Sequence, residues 1–433
     1  MGSNDRMYRK TYLRAAVLTL LFLRAVSVYS QDDENVVILD HADSLVTMEM
    51  NGEEVRRLIG DVRMHQGKTL ITCARATHYL TSNTVDMDGV VEIRDDTMRL
   101  VGMRGKYYVN EKIAEAFDRV MLQDPQTALN ASYGKYFVRE KRAYFKGNVY
   151  IEDSTSIVTA DEVQYYREEG KSIADGNVKI VNQRNRMTIF GNHFENYRNE
   201  KYSKVTSDPM VIQVDVNSHG GYDTLFVTAR MLESYRDSVE RLIATDSVKI
   251  FRSGLAAEAG LCVYYTDLDS LDLRNAPYVW YQTGPFQDNQ VSGETIFIAL
   301  EERRLKTVYV REKAVAISRA DTLLTKRFNQ MTGKSILLHF TEDKIDQVNV
   351  ITTATILYYL FDKEAPNGMN ITTGDEIIIT FREGTIERIK GISGIEGKYF
   401  PERLVAGKES EHNLREFNWR EQKPRRPFDP RID

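Results

Sequence analysis

The residue types that carry most enzyme chemistry are thinly and irregularly spread in this chain of 433 residues. Its seven histidines, His41, His65, His78, His193, His219, His339 and His412, form no His-Glu-x-x-His or His-x-His arrangement that would present a pair of metal ligands. No Gly-x-Ser-x-Gly elbow and no phosphate-cradling loop occurs. Gly391, Gly394 and Gly397 are three apart, but no helix pattern follows them to receive an anion. Asp267, Asp269 and Asp272 have the charge of a calcium loop without its glycine or its distal glutamate. Carboxylate pairs such as Asp95-Asp96 fall at expected turns and read as solvated. Cys73 and Cys262 are the only cysteines. A disulfide between them is conceivable in an oxidising compartment, although Cys73 reads more simply as a small buried strand residue. These residues point to no reaction, no metal and no other cofactor, so the chain is expected not to be an enzyme.

Composition narrows the class further. At 42% hydrophobic and 28% charged residues, the chain can bury a core without a membrane, and a net charge of −5 gives no reason to expect nucleic acid as a partner. Tyrosine (24) and phenylalanine (17) are plentiful while proline (9) is scarce, which suits β-sheet.

What organises the chain is a repeat. Gly60, Gly89, Asp118, Gly147 and Gly176 are each 29 residues apart. Two residues after each stands a valine (Val62, Val91, Val120, Val149, Val178), and two further on Met64, Ile93, Leu122, Ile151 or Ile180. A second column holds Ile71, Leu100, Leu129 and Val158, followed two residues later by the small Cys73, Gly102, Ala131 and Ala160. A third runs through Tyr79, Tyr108, Phe137 and Tyr166, with His78, Tyr107, Tyr136 and Tyr165 beside it. Spacing held through so many columns marks a stacked repeat. The apolar residues alternate with polar ones, as in half-buried strands. Gly60-Asp61, Asp88-Gly89, Gly147-Asn148 and Asp175-Gly176-Asn177 suit tight hairpins that need positive φ. Each unit therefore reads as roughly three short strands joined by tight turns, burying its apolar face against its neighbours.

Outside that stretch the texture changes. Arg6, Arg9, Lys10 and Arg14 precede an apolar run over residues 15–23, and Val28-Tyr29-Ser30 offers residues a signal peptidase can read. Residues 1–30 are expected to be a cleaved export signal, and the run is short for a membrane span. The repeat pattern continues over 31–300 and, more loosely, over 301–406. Gly220-Gly221 suggests a bend near 215–222, and 230–242 is the one stretch that suits a helical turn. From about residue 407, Arg415, Arg420, Lys423, Arg425, Arg426 and Arg431 mix with prolines, so 407–433 is expected to be a basic, disordered tail.

Without catalytic residues, the repeat itself is the candidate for function. If the strands form two layers that splay along one side, the apolar interior becomes a groove for acyl chains, at about 0.8 kcal/mol per buried methylene. The inner side chains can equally fill one another, giving a structural or adhesive solenoid with a packed core. An enzyme acting on polysaccharide from a parallel β-helix is a third possibility, which tight antiparallel hairpins oppose.

The series of units, seen most fully in Gly147-Asn148-Val149-x-Ile151, Val158-Thr159-Ala160-Asp161-Glu162-Val163-x-Tyr165-Tyr166 and Ala174-Asp175-Gly176-Asn177-Val178, resembles the OstA-like family. That family includes the periplasmic lipopolysaccharide-transport bridge protein and the N-terminal part of the outer-membrane lipopolysaccharide translocon. The resemblance is good over residues 60–212 and fainter to about 296. It implies an all-β fold, an elongated β-jellyroll of two facing, mostly antiparallel sheets with about 29 residues per repeat. It also implies a periplasmic, possibly outer-membrane-associated, carrier whose groove shields the acyl chains of lipid A. Partners would be other jellyroll proteins of the transport bridge and further copies of the chain joined end to end. The lipid-facing wall is then expected from Val62, Met64, Val91, Ile93, Val120, Leu122, Val149, Ile151, Val178 and Ile180, with Ile71, Leu100, Leu129, Val158 and Ile189 opposite.

Overall fold

The computed structural model describes residues 35–428, except 126, 154, 183–185, 217–220, 285–286, 302–303, 322, 343, 364 and 383–384. The expected export signal and the middle of the expected bend, 217–220, lie outside the described residues. The chain forms two compact units. Unit 1 takes residues up to Asp153 together with Glu162–Arg167; unit 2 takes Ser154–Asp161 and everything from Glu168 onward.

Unit 1 is a meander of long antiparallel strands. Glu53–Gln66 runs against Thr69–Tyr79, Thr84–Asp95 against Met98–Tyr108, and Ile113–Gln123 against Ala128–Phe137. Each strand also pairs with the strand after it, so Thr69–Tyr79 meets Thr84–Asp95 and Met98–Tyr108 meets Ile113–Gln123. Their alternation of buried and outward residues is what the apolar columns foretell.

The glycine positions do something other than expected. Gly60-Asp61, Gly89-Val90, Asp118-Arg119 and Gly147-Asn148 all have positive φ, but they lie inside long strands and reverse nothing. Between Asp88↔Arg104 and Val91↔Gly102 the register shifts, because Gly89 and Val90 stand opposite Met103 alone. That is a β-bulge, which bends a strand and keeps its partner alongside. The hairpins fall at 67–68, 96–97 and 109–112 instead. One repeat is therefore two bent strands of about eleven residues, as in Met98–Tyr108, and not three short ones. Two successive left-handed residues are also what a type I′ hairpin requires, so local sequence does not separate a corner from a reversal.

The bend explains the small-residue columns. Each strand contributes one half to each of two facing layers, and the corner brings backbones close. A Cβ on Gly105 would lie 2.9 Å from Val91 Cγ1 and 3.2 Å from the Glu115 carbonyl. Gly102 of the small-residue column sits at such a corner, where a Cβ would lie 3.0 Å from the Phe117 carbonyl and 3.1 Å from Ala116 Cβ; Cys73, Ala131 and Ala160 hold the matching, buried positions of the other repeats.

Unit 2 repeats the device with less regular spacing. Paired left-handed residues recur at Gly176-Asn177, Ser207-Asp208, Asp246-Ser247, Asn275-Ala276, Glu312-Lys313 and Thr352-Thr353. Register shifts mark the corners at 175/178, 245/248, 311/314 and 351/354. The stretch 230–242, expected to include a helical turn, holds the strand Met231–Tyr235 and the start of Arg241–Arg252. Its residues pair edge to edge, Leu232 with Ala244 and Ser234 with Leu242, which overrides the local preference.

After the strand Glu396–Phe400 come a short helix, Glu402–Val405, and a 3-10 turn, Glu409–His412. Val405 is fully buried with Leu357, Tyr359 and Met369. Arg327 fixes the helix to the sheet through Glu402, at 2.6 and 3.1 Å.

Candidate functional site

The expected wall residues divide by burial. Val62, Met64, Val91, Ile93, Val120, Leu122, Val149, Val178, Ile71, Leu100 and Leu129 are at most 2% exposed. Ile151, Val158, Ile180 and Ile189 are half-buried. In unit 1 these side chains pack on protein atoms: a Cβ on Gly134 would stand 2.8 Å from Val120 Cγ1 and 2.9 Å from the Phe145 ring. Over residues 55–149 these columns are buried against protein atoms, the packed alternative of the two that the sequence left open.

The side of unit 1 away from the corners is fastened by a polar ladder. Tyr107 Oη donates to Gln66 Oε1 at 2.5 Å, Tyr136 Oη to Asp95 Oδ2 at 2.7 Å, and Tyr165 Oη to Asp124 Oδ2 at 2.6 Å. Donors and acceptors both advance by 29 residues, so each rung is one repeat on from the last. Donor and acceptor come from opposite halves of the bent strands, and each rung therefore ties the two layers together. Lys141 adds an ion pair to Asp95, and Arg167 Nη2 donates to Thr97 Oγ1 at 2.6 Å. Burial, then the neighbouring Asp95 carboxylate, push the Tyr136 phenol far up, so it remains a donor. The column was legible in the sequence as tyrosines beside the aromatic column; its acceptors at 66, 95 and 124 were not recognised as its partners.

Unit 2 also buries apolar clusters on the other face of its sheet, the face of Lys179. Phe190, Met210 and Phe226 form a cluster with Ile212 and Phe251 against it. Ala256, Tyr278 and Trp280 form another, and Val315, Ile317 and Phe328 a third. Lying over them is the segment expected to be a disordered tail. Phe417 and Trp419 pack on Phe328 at 5.3 and 4.8 Å between centroids. The Arg420 guanidinium stacks over Tyr278 at 4.0 Å, and Tyr278 Oη donates to the Asn418 carbonyl at 2.6 Å. Further along, Phe226, Phe251 and Lys249 of the wall and Lys423, Pro424 and Arg425 of the segment enclose a cavity of about 450 Å³, a size that admits a small ligand. The segment orders because its apolar residues, Leu414, Phe417, Trp419 and Pro424, are spaced along it to meet this wall, and because Arg420 and Arg426 lie over the Tyr278 and Phe226 rings. That pattern was present in the sequence but diluted by arginines and prolines.

The residues weighed for chemistry are engaged elsewhere. His78 Nε2 meets Asn83 Oδ1 at 3.0 Å. Asp269 accepts from Tyr264 Oη at 3.1 Å, and Asp272 pairs with Arg274. His193 bridges Asp175 and Glu195 at 2.6 and 3.0 Å. Hydrogen bonds from Tyr197 and Lys204, joined by His193, hold the Glu195 carboxyl down at about 2. This is a charge network across neighbouring strands, with no nucleophile in it. Both cysteines are free and buried, and burial pushes each thiol up to about 12. Among the described residues no group of three or more His, Cys, Asp or Glu converges to hold a metal.

Two family models match the chain. Residues 34–189 match the OstA-like protein family. Residues 130–304 match the family described as LptA/(LptD N-terminal domain) LPS transport protein. No curated protein resembles the chain closely enough to count as a match.

Proposed function

We propose that this chain, which matches the OstA-like family over residues 34–189 and the LPS transport family over residues 130–304, takes part in lipopolysaccharide transport as a non-enzymatic bridge that shields acyl chains. The observation that carries this reading is the inward wall itself. Bent strands in both units turn an apolar face to the interior, and a hydrocarbon chain gains about 0.8 kcal/mol for each methylene taken from water.

The place we assign to acyl chains is the wall of unit 2. Ile180 and Ile189 are cross-strand partners and, with Val158, are only half-buried, so hydrocarbon can reach them without displacing a packed core. The columns of unit 1, from Val62 and Ile71 to Leu129 and Val149, would meet an acyl chain only when the layers part and the tyrosine ladder opens. Unit 1 in the closed form serves as a rigid spacer. Its filled interior also favours the second reading, a structural β-solenoid with a packed core throughout.

Partners of the same architecture would add at the sheet edges. The strand Ser44–Met50 pairs with Glu53–Gln66 and is exposed along its length, including Leu45, Val46, Met48 and Met50. The last strands, Thr385–Ile392 and Glu396–Phe400, expose Ile386, Ile392 and Tyr399. Exposed edges of this kind pair with strands of another chain, which supports both bridge partners and end-to-end self-association. A periplasmic location, reached by the expected export signal, goes with this role. Depletion of the protein from cells tests it: newly made lipopolysaccharide should stall at the inner membrane, and undisturbed delivery to the cell surface would refute it.

A further inference from the structure

The face of the unit 2 sheet turned away from Ile180 and Ile189 carries two buried glutamines. Gln330 and Gln290 are 1% and 2% exposed. Each spends its amide on the chain's own C-terminal segment. Gln330 Oε1 accepts from the Leu414 backbone N–H at 2.8 Å, and its Nε2 donates to Asn413 Oδ1 at 2.6 Å. Gln290 Oε1 accepts from the Arg420 N–H at 3.0 Å, and its Nε2 donates to the Arg420 carbonyl at 2.8 Å. A primary amide that meets both the N–H and the C=O of one residue reads polypeptide backbone. Trp280 Nε1 adds a third contact to the Arg420 carbonyl at 3.3 Å.

Hydrocarbon in the same place would leave Gln290 Nε2 and Gln330 Oε1 without the partners the segment gives them, a costly arrangement for buried amides. The side-chain contacts fit a peptide equally well. An aromatic-x-aromatic-basic run, Phe417-Asn418-Trp419-Arg420, sets its rings on Phe328 and its guanidinium on Tyr278. Arg319 pairs with Glu421 at 3.4 Å and stacks on Trp419 at 5.0 Å.

We propose that the wall around Gln290, Gln330, Tyr278 and Trp280 is a peptide-binding site, and that its ligand is the chain's own residues 413–428. Bound there, the segment covers the aromatic face of the sheet opposite Ile180 and Ile189. The assignment stands on the geometry of unit 2 and is independent of the lipid that the chain serves.

Both tryptophans of the chain, Trp280 and Trp419, lie in this site, so intrinsic fluorescence reports on it directly. The test compares the full chain with its Gln290→Leu/Gln330→Leu variant. Readouts are tryptophan emission, amide exchange at Leu414 and Arg420, and binding of the apolar dye anilinonaphthalene sulfonate. Expected are a red-shifted emission, exchange at those two amides faster by about tenfold or more, and increased dye binding, with exchange in Met187–Tyr197 unchanged. If that variant fails to fold, Trp419→Ser, at a half-buried position, should give the same exchange and dye response. Exchange at Leu414 and Arg420 as fast as in a free peptide in the unaltered chain would overturn the proposal. Slow exchange that neither variant changes would overturn it too. A lipopolysaccharide-binding defect with these readouts intact would count against the transport role alone.

Discussion

Tyr136 donates its phenolic hydrogen to Asp95, 41 residues earlier in the chain, at 2.7 Å. That single contact joins the two halves of the bent sheet in unit 1, and its 29-residue echoes at Tyr107–Gln66 and Tyr165–Asp124 make it a ladder. Tyr136→Phe keeps the ring and removes the rung. Asp95 is 2% exposed and would lose one donor while keeping Lys141. The expected cost is about 1–3 kcal/mol, read as an earlier unfolding transition of unit 1 in chemical denaturation. An unchanged midpoint would show that the ladder does not hold the layers together.

The corners make opposite predictions at two positions. Gly89 has φ +80, and a Cβ there would stand 2.7 Å from Ala74 Cβ. Gly89→Val should therefore destabilise by more than the roughly 1–2 kcal/mol that a left-handed backbone alone costs. Thr352, with φ +58, is a β-branched residue in a region that disfavours it. Thr352→Gly should be neutral or stabilising by up to about 1 kcal/mol, the relief of backbone strain exceeding glycine's extra chain entropy. Thermal unfolding of the two variants checks the pair.

These corners also mark how far the sequence could be read. The columns beginning at Val62 and Ile71 were legible because a 29-residue period repeats the same inward positions, and burial follows alternation. Whether Gly89-Val90 reverses or bends the strand was not legible, since both uses demand the same pair of left-handed residues; the partner strand running past Met103 decides it. Whether the interior is lined or filled was not legible either. The same apolar columns serve both, and the outcome rests on contacts such as Gly134 with Val120, which join residues in different strands. The C-terminal segment was misread because Phe417 and Trp419 are two apolar residues among many charges, and only the wall at Phe328 shows what they are for.

The anchor of that segment depends on acid. The Arg327 guanidinium holds the Glu402 carboxyl below its ordinary 4.5. A carboxyl lowered in the folded state contributes stability that is present above 4.5 and lost as pH falls through the lowered value. Residues 402–412 should therefore loosen in acid below 4.5, with faster amide exchange at Ala406. Arg327→Met should bring the same loosening at neutral pH. Exchange at Ala406 independent of pH down to global unfolding would contradict this.

Cys73 and Cys262 should be inert in the native state, because burial pushes both thiols up to about 12 and the thiolate is the reactive form. Thiol titration should give almost no reaction near neutral pH until denaturant is added, and then two equivalents. Rapid reaction of either in the folded chain would show that its layer opens readily.

The carrier role is tested most directly by photocrosslinking in living cells, with a photoreactive residue placed in turn at Ile180, Ile189, Val120 and the outward Lys179. The account predicts lipopolysaccharide adducts at Ile180 and Ile189, few or none at Val120 while unit 1 stays closed, and none at Lys179. Absence of adducts at Ile180 and Ile189, in a chain that folds and is exported, would contradict it and leave the packed solenoid as the better description.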